Sequence, residues 1–220
     1  SSNGMLAGGL QVDGGFVLLN ACTIVNCTAS IVAGSADSAG GILVGHGGSV
    51  TLSKSNITSC QVSSTQTQRP HGCAGGAVCV ANEATALITD TVLLECFASC
   101  QEFAGGARAL HGGSLSVSQV TVSGSSADGN EGVSGGLFVY GGDVSLNGSI
   151  FTSCFAAAES DSAAGGIFIF QAHVNIEASS VVGCTASGGK ANGAGGILCS
   201  GGVLTLTNSL VADCIARNIK

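Results

Sequence analysis

The chain has 220 residues, with 36 Gly, 11 Cys and a single Pro, and only 9% of its residues are charged. An apolar fraction of 45% excludes a polar disordered chain, and the near absence of proline excludes a collagen-like one. A formal net charge of −7 argues against nucleic acid and anionic membrane partners, and no apolar run is long enough for a transmembrane helix.

A small residue followed by Gly-Gly returns along the whole chain and defines a repeat. The first glycines of the pairs are Gly8, Gly40, Gly75, Gly105, Gly135, Gly165 and Gly195. Their spacings are 32, 35, 30, 30, 30 and 30 residues. Self-similarity at a fixed period of this length is typical of solenoid proteins.

Each repeat contains three strand-like segments in the same order. A short apolar strand follows Gly-Gly, as in residues 167–169, and a Gly-rich turn leads to an alternating strand, as in residues 203–207. The third segment, as in residues 181–186, reads apolar-x-x-Cys-x-Ala. Alternation with a period of two predicts one buried and one solvated face for the second strand.

Three short strands and three turns in about 30 residues predict one coil of a parallel β-helix. We therefore expect an all-β, right-handed solenoid of about seven coils that spans residues 1–220 as a single domain. A sandwich of hairpins is the alternative, but it needs tight two-residue turns and does not explain the period. Because the chain begins without Met and ends within a repeat, we expect it to be a piece of a longer protein.

The repeat resembles that of chlamydial polymorphic outer membrane proteins, which belong to the pectin-lyase-like β-helix group. The likeness rests on Gly-Gly-[Ala/Ile/Leu], an alternating strand and [Phe/Ile/Val]-x-x-[Asn/Cys], and it covers all seven repeats. Six repeats have Cys where that family usually has Asn. The resemblance implies a secreted or surface-displayed segment with adhesive or structural roles.

Six of the 11 cysteines occupy the same position in successive repeats and therefore form a column, and the other five do not. The third-segment column holds Cys27, Cys60, Cys96, Cys154, Cys184 and Cys214, with Ser125 in the fourth repeat. We expect this column to consist of reduced, buried side chains, because stacked residues in register rarely take the disulfide torsion. Cys79 and Cys199 are assigned to inward positions of the first strand with the same interpretation. Cys73 and Cys100, in loops that enter successive Gly-Gly turns, are the best disulfide candidates, and Cys22 stays unassigned.

Residues suited to catalysis are sparse and scattered in this repeat register. Glu95 and Asp213 share a column but lie four coils apart, roughly 19 Å at a strand spacing of about 4.8 Å, whereas glycoside hydrolysis needs two carboxylates within about 5–10 Å. Arg108 is expected to be a solvated surface residue. His46 and His111 occupy matching positions in coils that are not adjacent. We therefore predict no catalytic residues, no cofactor and no metal site.

The outward positions of the first strand form an apolar stripe that the alternation leaves uncovered. Its apolar members are Leu43, Val78, Leu110, Phe138, Tyr140, Phe168, Phe170 and Leu198. A contiguous apolar patch on a soluble protein usually marks a contact surface. The stripe is thus predicted to dock a protein partner or a sister chain.

The outward rows of the second strand consist mostly of Ser, Thr and Asn and predict a solvated face, with glycan binding as the alternative. Asn26, Asn56 and Asn147 begin glycosylation sequons that should point outward. The sequence therefore favours a non-enzymatic structural or interaction segment of an extracellular or cell-surface protein. A carbohydrate-binding or carbohydrate-active β-helix is the second interpretation.

Overall fold

The computed structural model describes residues 5–31, 37–64, 74–99, 103–110, 112–130, 132–159, 162–188 and 192–217. Within these ranges the protein is all-β, with 35 strands and no helix. The strands form five parallel sheets of seven strands each, which we name A to E in the order in which one coil visits them. The predicted parallel β-solenoid is confirmed.

Sheets A and B flank the Gly-Gly pairs. Sheet A consists of β1 (Met5–Ala7), β6 (Asp37–Ala39), β11 (Ala74–Gly75), β16 (Phe103–Ala104), β21 (Val133–Ser134), β26 (Ala163–Ala164) and β31 (Gly193–Ala194). Sheet B consists of β2 (Leu10–Asp13), β7 (Ile42–Gly45), β12 (Val78–Val80), β17 (Ala107–Leu110), β22 (Leu137–Tyr140), β27 (Ile167–Phe170) and β32 (Ile197–Ser200).

Sheets C, D and E complete each coil. Sheet C consists of β3 (Phe16–Asn20), β8 (Ser49–Ser53), β13 (Thr85–Thr89), β18 (Ser114–Ser118), β23 (Asp143–Asn147), β28 (His173–Glu177) and β33 (Val203–Thr207). Sheet D consists of β4 (Thr23–Val25), β9 (Asn56–Thr58), β14 (Val92–Leu94), β19 (Thr121–Ser123), β24 (Ile150–Thr152), β29 (Ser180–Val182) and β34 (Leu210–Ala212). Sheet E consists of β5 (Thr28–Ile31), β10 (Gln61–Ser64), β15 (Phe97–Ser99), β20 (Ser126–Gly129), β25 (Phe155–Ala158), β30 (Thr185–Gly188) and β35 (Ile215–Arg217).

Corresponding residues of successive coils pair directly. In the later coils the partners are 30 residues apart, so that Val144 pairs with Val174 and Leu146 with Ile176. The inward side chains of sheets B, C and D form one continuous apolar core, to which Phe151 and Ile169 belong. No coil can bury its inward row alone, and the core therefore exists only through stacking.

Each coil has five strands where the sequence predicted three. The third segment divides into the strands of sheets D and E because the residue before the Cys column adopts a left-handed conformation, as at Ser153 (φ 54°) and Asp213 (φ 54°). A second left-handed position between sheets C and D, such as Ala178 (φ 48°), turns the chain again. Sheet A was not predicted, because its strands are only two or three residues long and show no alternation.

The Gly-Gly pairs mark the closest approach between two sides of a coil. A Cβ atom on Gly165 would collide with the backbone of Thr185 in sheet E and with the carbonyl oxygen of Gly195. A Cβ on Gly166 would collide with the side chain of Val181 in sheet D. Neither glycine has a positive φ, so the repeat retains glycine here for space rather than for left-handed geometry.

Candidate functional site

The residues of the predicted apolar stripe do not form a solvent-exposed surface. Leu43, Leu110, Phe138 and Phe168 are buried, with exposed fractions of at most 4%. They form a second apolar cluster on the outer face of sheet B, against which Tyr140, Phe170 and Leu198 pack in partly buried positions. The interpretation of these residues as an open docking face was therefore wrong.

Sheet A covers the outer face of sheet B. Ala39 and Ala164 of sheet A belong to the same cluster as the aromatic residues, and Met5 packs against it. A Cβ on Gly45 would collide with the end of the Met5 side chain, and one on Gly132 would lie 3.4 Å from the ring of Phe138. The alternation predicted the outward direction of the stripe, but the strand that precedes Gly-Gly folds back over it.

Arg108 occupies the stripe position one coil before Phe138 and is 1% exposed. Its guanidinium carbon lies 4.7 Å from the centroid of the Phe138 ring, within the range of a cation–π contact. The Phe138 and Phe168 rings meet edge to face, with centroids 5.1 Å apart. The expectation of a solvated arginine was wrong, because this side chain is part of the aromatic cluster.

The third coil is shifted by one residue relative to its Gly-Gly pair. Ala77 lies between Gly76 and β12, so Val78 pairs with Ile42 and Cys79 with Leu43. Val78 therefore points into the main core and Cys79 into the second cluster, the reverse of the predicted assignment. A shift of one residue exchanges the two faces of a strand.

The cysteines differ in their state. Cys79 is disulfide-bonded, which corrects the prediction of a reduced thiol, while the six column cysteines, Cys22 and Cys199 are free. Cys199 lies in the predicted inward row but is exposed, since its coil is the last that the structure describes. The disulfide candidates Cys73 and Cys100, and also His111, lie outside the described residues.

The thiols of the Cys column repeat one geometry. In Cys60, Cys96 and Cys154 the Sγ atom lies 3.5 Å from the carbonyl oxygen two residues earlier. Each also lies 3.7–3.8 Å from a carbonyl oxygen of the preceding coil. The thiols are thus weak donors that face backbone acceptors at the turn between sheets D and E.

Hydrogen bonding between neighbouring thiols lowers the pKa of one partner and raises the pKa of the other. A hydrogen bond with Cys96 lowers the pKa of the Cys60 thiol to about 6, and the same bond together with burial raises the pKa of Cys96. A hydrogen bond with Cys154 lowers the pKa of Cys184 to about 7, while that of Cys154 is raised. Burial raises the pKa of Cys27, the partly exposed first member of the column.

A column of hydroxyl groups lies at the turn between sheets C and D and forms hydrogen bonds with the backbone there. The backbone N–H of Ser149 donates to the Ser179 hydroxyl at 3.0 Å, and that of Ser179 donates to Ser209 at 3.2 Å. The hydroxyl of Ser179 in turn donates to the carbonyl oxygen of Glu177 at 2.7 Å. The sequence signal, a Ser or Thr two residues after five of the seven sheet C strands, was present but not recognised.

From the fourth coil onward, the outer face of sheet C is mostly polar and bears a depression of about 290 Å³. Six of the residues that line it carry polar side chains: Ser114, Asp143, Ser145, His173, Asn175 and Thr205. Nδ1 of His173 lies 3.5 Å from a carboxylate oxygen of Asp143, and both side chains are exposed. A second pair of this kind joins His46 and Asp13 at 2.7 Å, near the start of the solenoid.

Several large apolar side chains remain exposed, and they concentrate in the first and last described coils. Phe16 and Leu18, both outward residues of β3, are 67% and 62% exposed. In the last described coil Val203, Leu206 and Val211 are 54%, 48% and 46% exposed. Leu206 and Val211 belong to columns that are buried in the coil before, where their partners are Ile176 and Val181.

The three sequon asparagines, Asn26, Asn56 and Asn147, are all exposed, as the register predicted. Glu95 and Asp213 both occupy the left-handed position before the Cys column, four coils apart. Among the described residues, no group of three or more His, Cys, Asp or Glu side chains is placed to hold a metal ion. The described part also contains no helix long and apolar enough to cross a membrane.

No family model, no curated protein and no solved structure matches the chain. The resemblance to the chlamydial repeats therefore stays a prediction that rests on the sequence motifs alone.

Proposed function

We propose that the chain is a non-enzymatic structural and interaction segment of a secreted or surface protein, and that it docks through the exposed apolar side chains of its first described coil. The observation that carries this proposal is the exposure of Phe16 and Leu18, side by side on one strand. Contiguous exposed apolar groups usually mark contact surfaces. Burying each of them contributes roughly 1.5–3 kcal/mol.

The partner that fits this patch best is a second copy of the chain, docked through the same outward side chains of β3. A symmetric pair would bury Phe16 and Leu18 of both copies against one another. The column that begins at Phe16 is polar from Ser49 to His173, so the apolar patch is confined to the first described coil.

Two further observations support the proposal. The carboxylates that share a column, Glu95 and Asp213, lie four coils apart, about 19 Å at the spacing of parallel strands, which is too far for paired acid–base catalysis. The disulfide at Cys79 supports an extracellular or surface location, since disulfides form and persist mainly in oxidising compartments.

The test is the concentration dependence of self-association by analytical ultracentrifugation. We expect the double substitution Phe16→Ser and Leu18→Ser to raise the dissociation constant at least ten-fold, because it removes apolar area from the contact. Leu87→Ser is the matched control: Leu87 is also outward on sheet C and 42% exposed, but it lies in the third coil. A parent chain that stays monomeric, or a double variant that associates like the parent, contradicts the proposal.

Carbohydrate binding is a second candidate function, favoured by the polar depression on sheet C. Its hydroxyl, amide and carboxylate groups form a row of hydrogen-bond donors and acceptors across four coils. Titration with neutral and acidic oligosaccharides, followed by NMR, separates the two functions. Shift changes confined to Asp143, Asn175 and their neighbours support glycan binding, and the absence of any shift overturns it.

A further inference from the structure

The Cys column contains two runs of three thiols that are separated by one hydroxyl group. Cys27, Cys60 and Cys96 form the first run, Ser125 interrupts it, and Cys154, Cys184 and Cys214 form the second. We propose that each run is a binding site for a soft monovalent metal ion, Cu(I) or Ag(I), held linearly between the sulfur atoms of successive coils.

The sulfur atoms are aligned because every coil repeats the same local geometry. The distance from Sγ to the carbonyl oxygen two residues earlier is 3.5 Å in Cys96 and 3.6 Å in Cys184. The backbone of the column is fixed by coil-to-coil hydrogen bonds of 2.9 Å, from Phe97 N to Cys60 O and from Thr185 N to Cys154 O. The sulfurs therefore follow one another along the stacking direction.

The spacing of the coils suits two-coordinate binding. Parallel strands lie about 4.8 Å apart, and two metal–thiolate bonds of about 2.3 Å span about 4.6 Å in a straight line. An ion midway between Cys60 and Cys96, or between Cys154 and Cys184, would thus match the spacing of the coils. A tetrahedral ion such as Zn²⁺ would need four converging ligands, and a single straight column does not provide them.

The surroundings favour a soft ion over a hard one. Cys60, Cys96, Cys154 and Cys184 are buried at 0–1% exposure within the apolar core, and thiolates are soft ligands of the kind that bind Cu(I). One ion replaces the protons of two thiols, which pass to solvent, and leaves a bis-thiolate complex with a charge of −1. Cys27 and Cys214, in the first and last described coils, are partly buried.

The experiment is titration of the reduced column with Ag(I), with bound ions counted by native mass spectrometry. The parent protein in this titration carries Cys22→Ser and Cys199→Ser. These substitutions remove two free thiols that lie outside the column. We expect at least two ions per folded chain. Cys60→Ser should lose the ion of the first run, Cys184→Ser that of the second, and the double variant both.

Serine is a suitable replacement, because Ser125 already occupies this column, and Cys60→Ala serves if the serine variant fails to fold. Thermal unfolding provides a second readout: Ag(I) should raise the Tm of the parent by several degrees and leave that of the double variant unchanged. An ion count that is equal in the parent and the double variant would place the metal elsewhere and overturn the proposal. A folded parent that binds no Ag(I) would do the same.

Discussion

Single residues at the Gly-Gly pairs determine how closely two sides of a coil approach. In six of the seven pairs the first glycine lies against the backbone of sheet E, where a methyl group has no room. In the third coil, which is shifted by one residue, the second glycine, Gly76, takes this place. Sequence comparison of the seven repeats identifies these glycines, but not their neighbours. Their role as spacers, rather than as left-handed turn residues, becomes clear only from the fold.

Substitution of one such glycine tests this role. We expect Gly165→Ala to lower the free energy of unfolding by about 1–3 kcal/mol, because the added methyl group forces the backbone of Thr185 away. Gly193→Ala is the matched control: nothing lies within 4 Å of a Cβ at that position, and its φ is not positive. Urea denaturation measures both variants. If the two variants are equally stable, the Gly-Gly pair is not what allows the two sides of a coil to approach closely.

At the scale of strands, sheet B is buried on both faces in its middle coils, unlike sheets C and D, whose outward residues are mostly exposed or half-buried. Its inward residues, such as Val139, belong to the main core, and its outward residues, such as Phe138, belong to the second cluster. This arrangement explains why a four-residue strand such as Ile167–Phe170 is apolar throughout. Strands buried on both faces read as continuous apolar runs.

Truncation of one outward aromatic distinguishes a core from a docking surface. We expect Phe138→Ala to cost about 3–5 kcal/mol of unfolding free energy, since it removes a buried ring that contacts Phe168 and Arg108. Phe155→Ala, at a position 40% exposed, should cost less than about 1 kcal/mol. Thermal and urea unfolding give both values. A small loss of unfolding free energy in Phe138→Ala, together with weaker self-association, would show that the stripe is a contact surface after all.

The sequence predicted the register of the strands better than their environment. Identical Gly-Gly spacing and alternation were enough to align Phe138 with Phe168 and the six cysteines with one another. Two features of the structure could not be predicted from the sequence. The one-residue insertion at Ala77 reversed the faces of Val78 and Cys79, and the short covering strands of sheet A carry no periodic signal. Arg108 was misplaced for the same reason, because nothing in the pattern indicated that a cover exists.

At the scale of the molecule, stacking is the source of stability. Every inward row gains its burial from the coils above and below. The proposed self-association uses a different surface, the outward residues Phe16 and Leu18 of β3. The thiol column depends on stacking as well, since only in-register coils bring the sulfur of Cys60 next to that of Cys96.

Backbone NOE contacts in a perdeuterated sample give the most direct measurement of this stacking. We expect the parallel pattern between residues 30 apart, with Val144 next to Val174 and Leu146 next to Ile176. Contacts that follow an antiparallel pattern, or their absence between these segments, would contradict it.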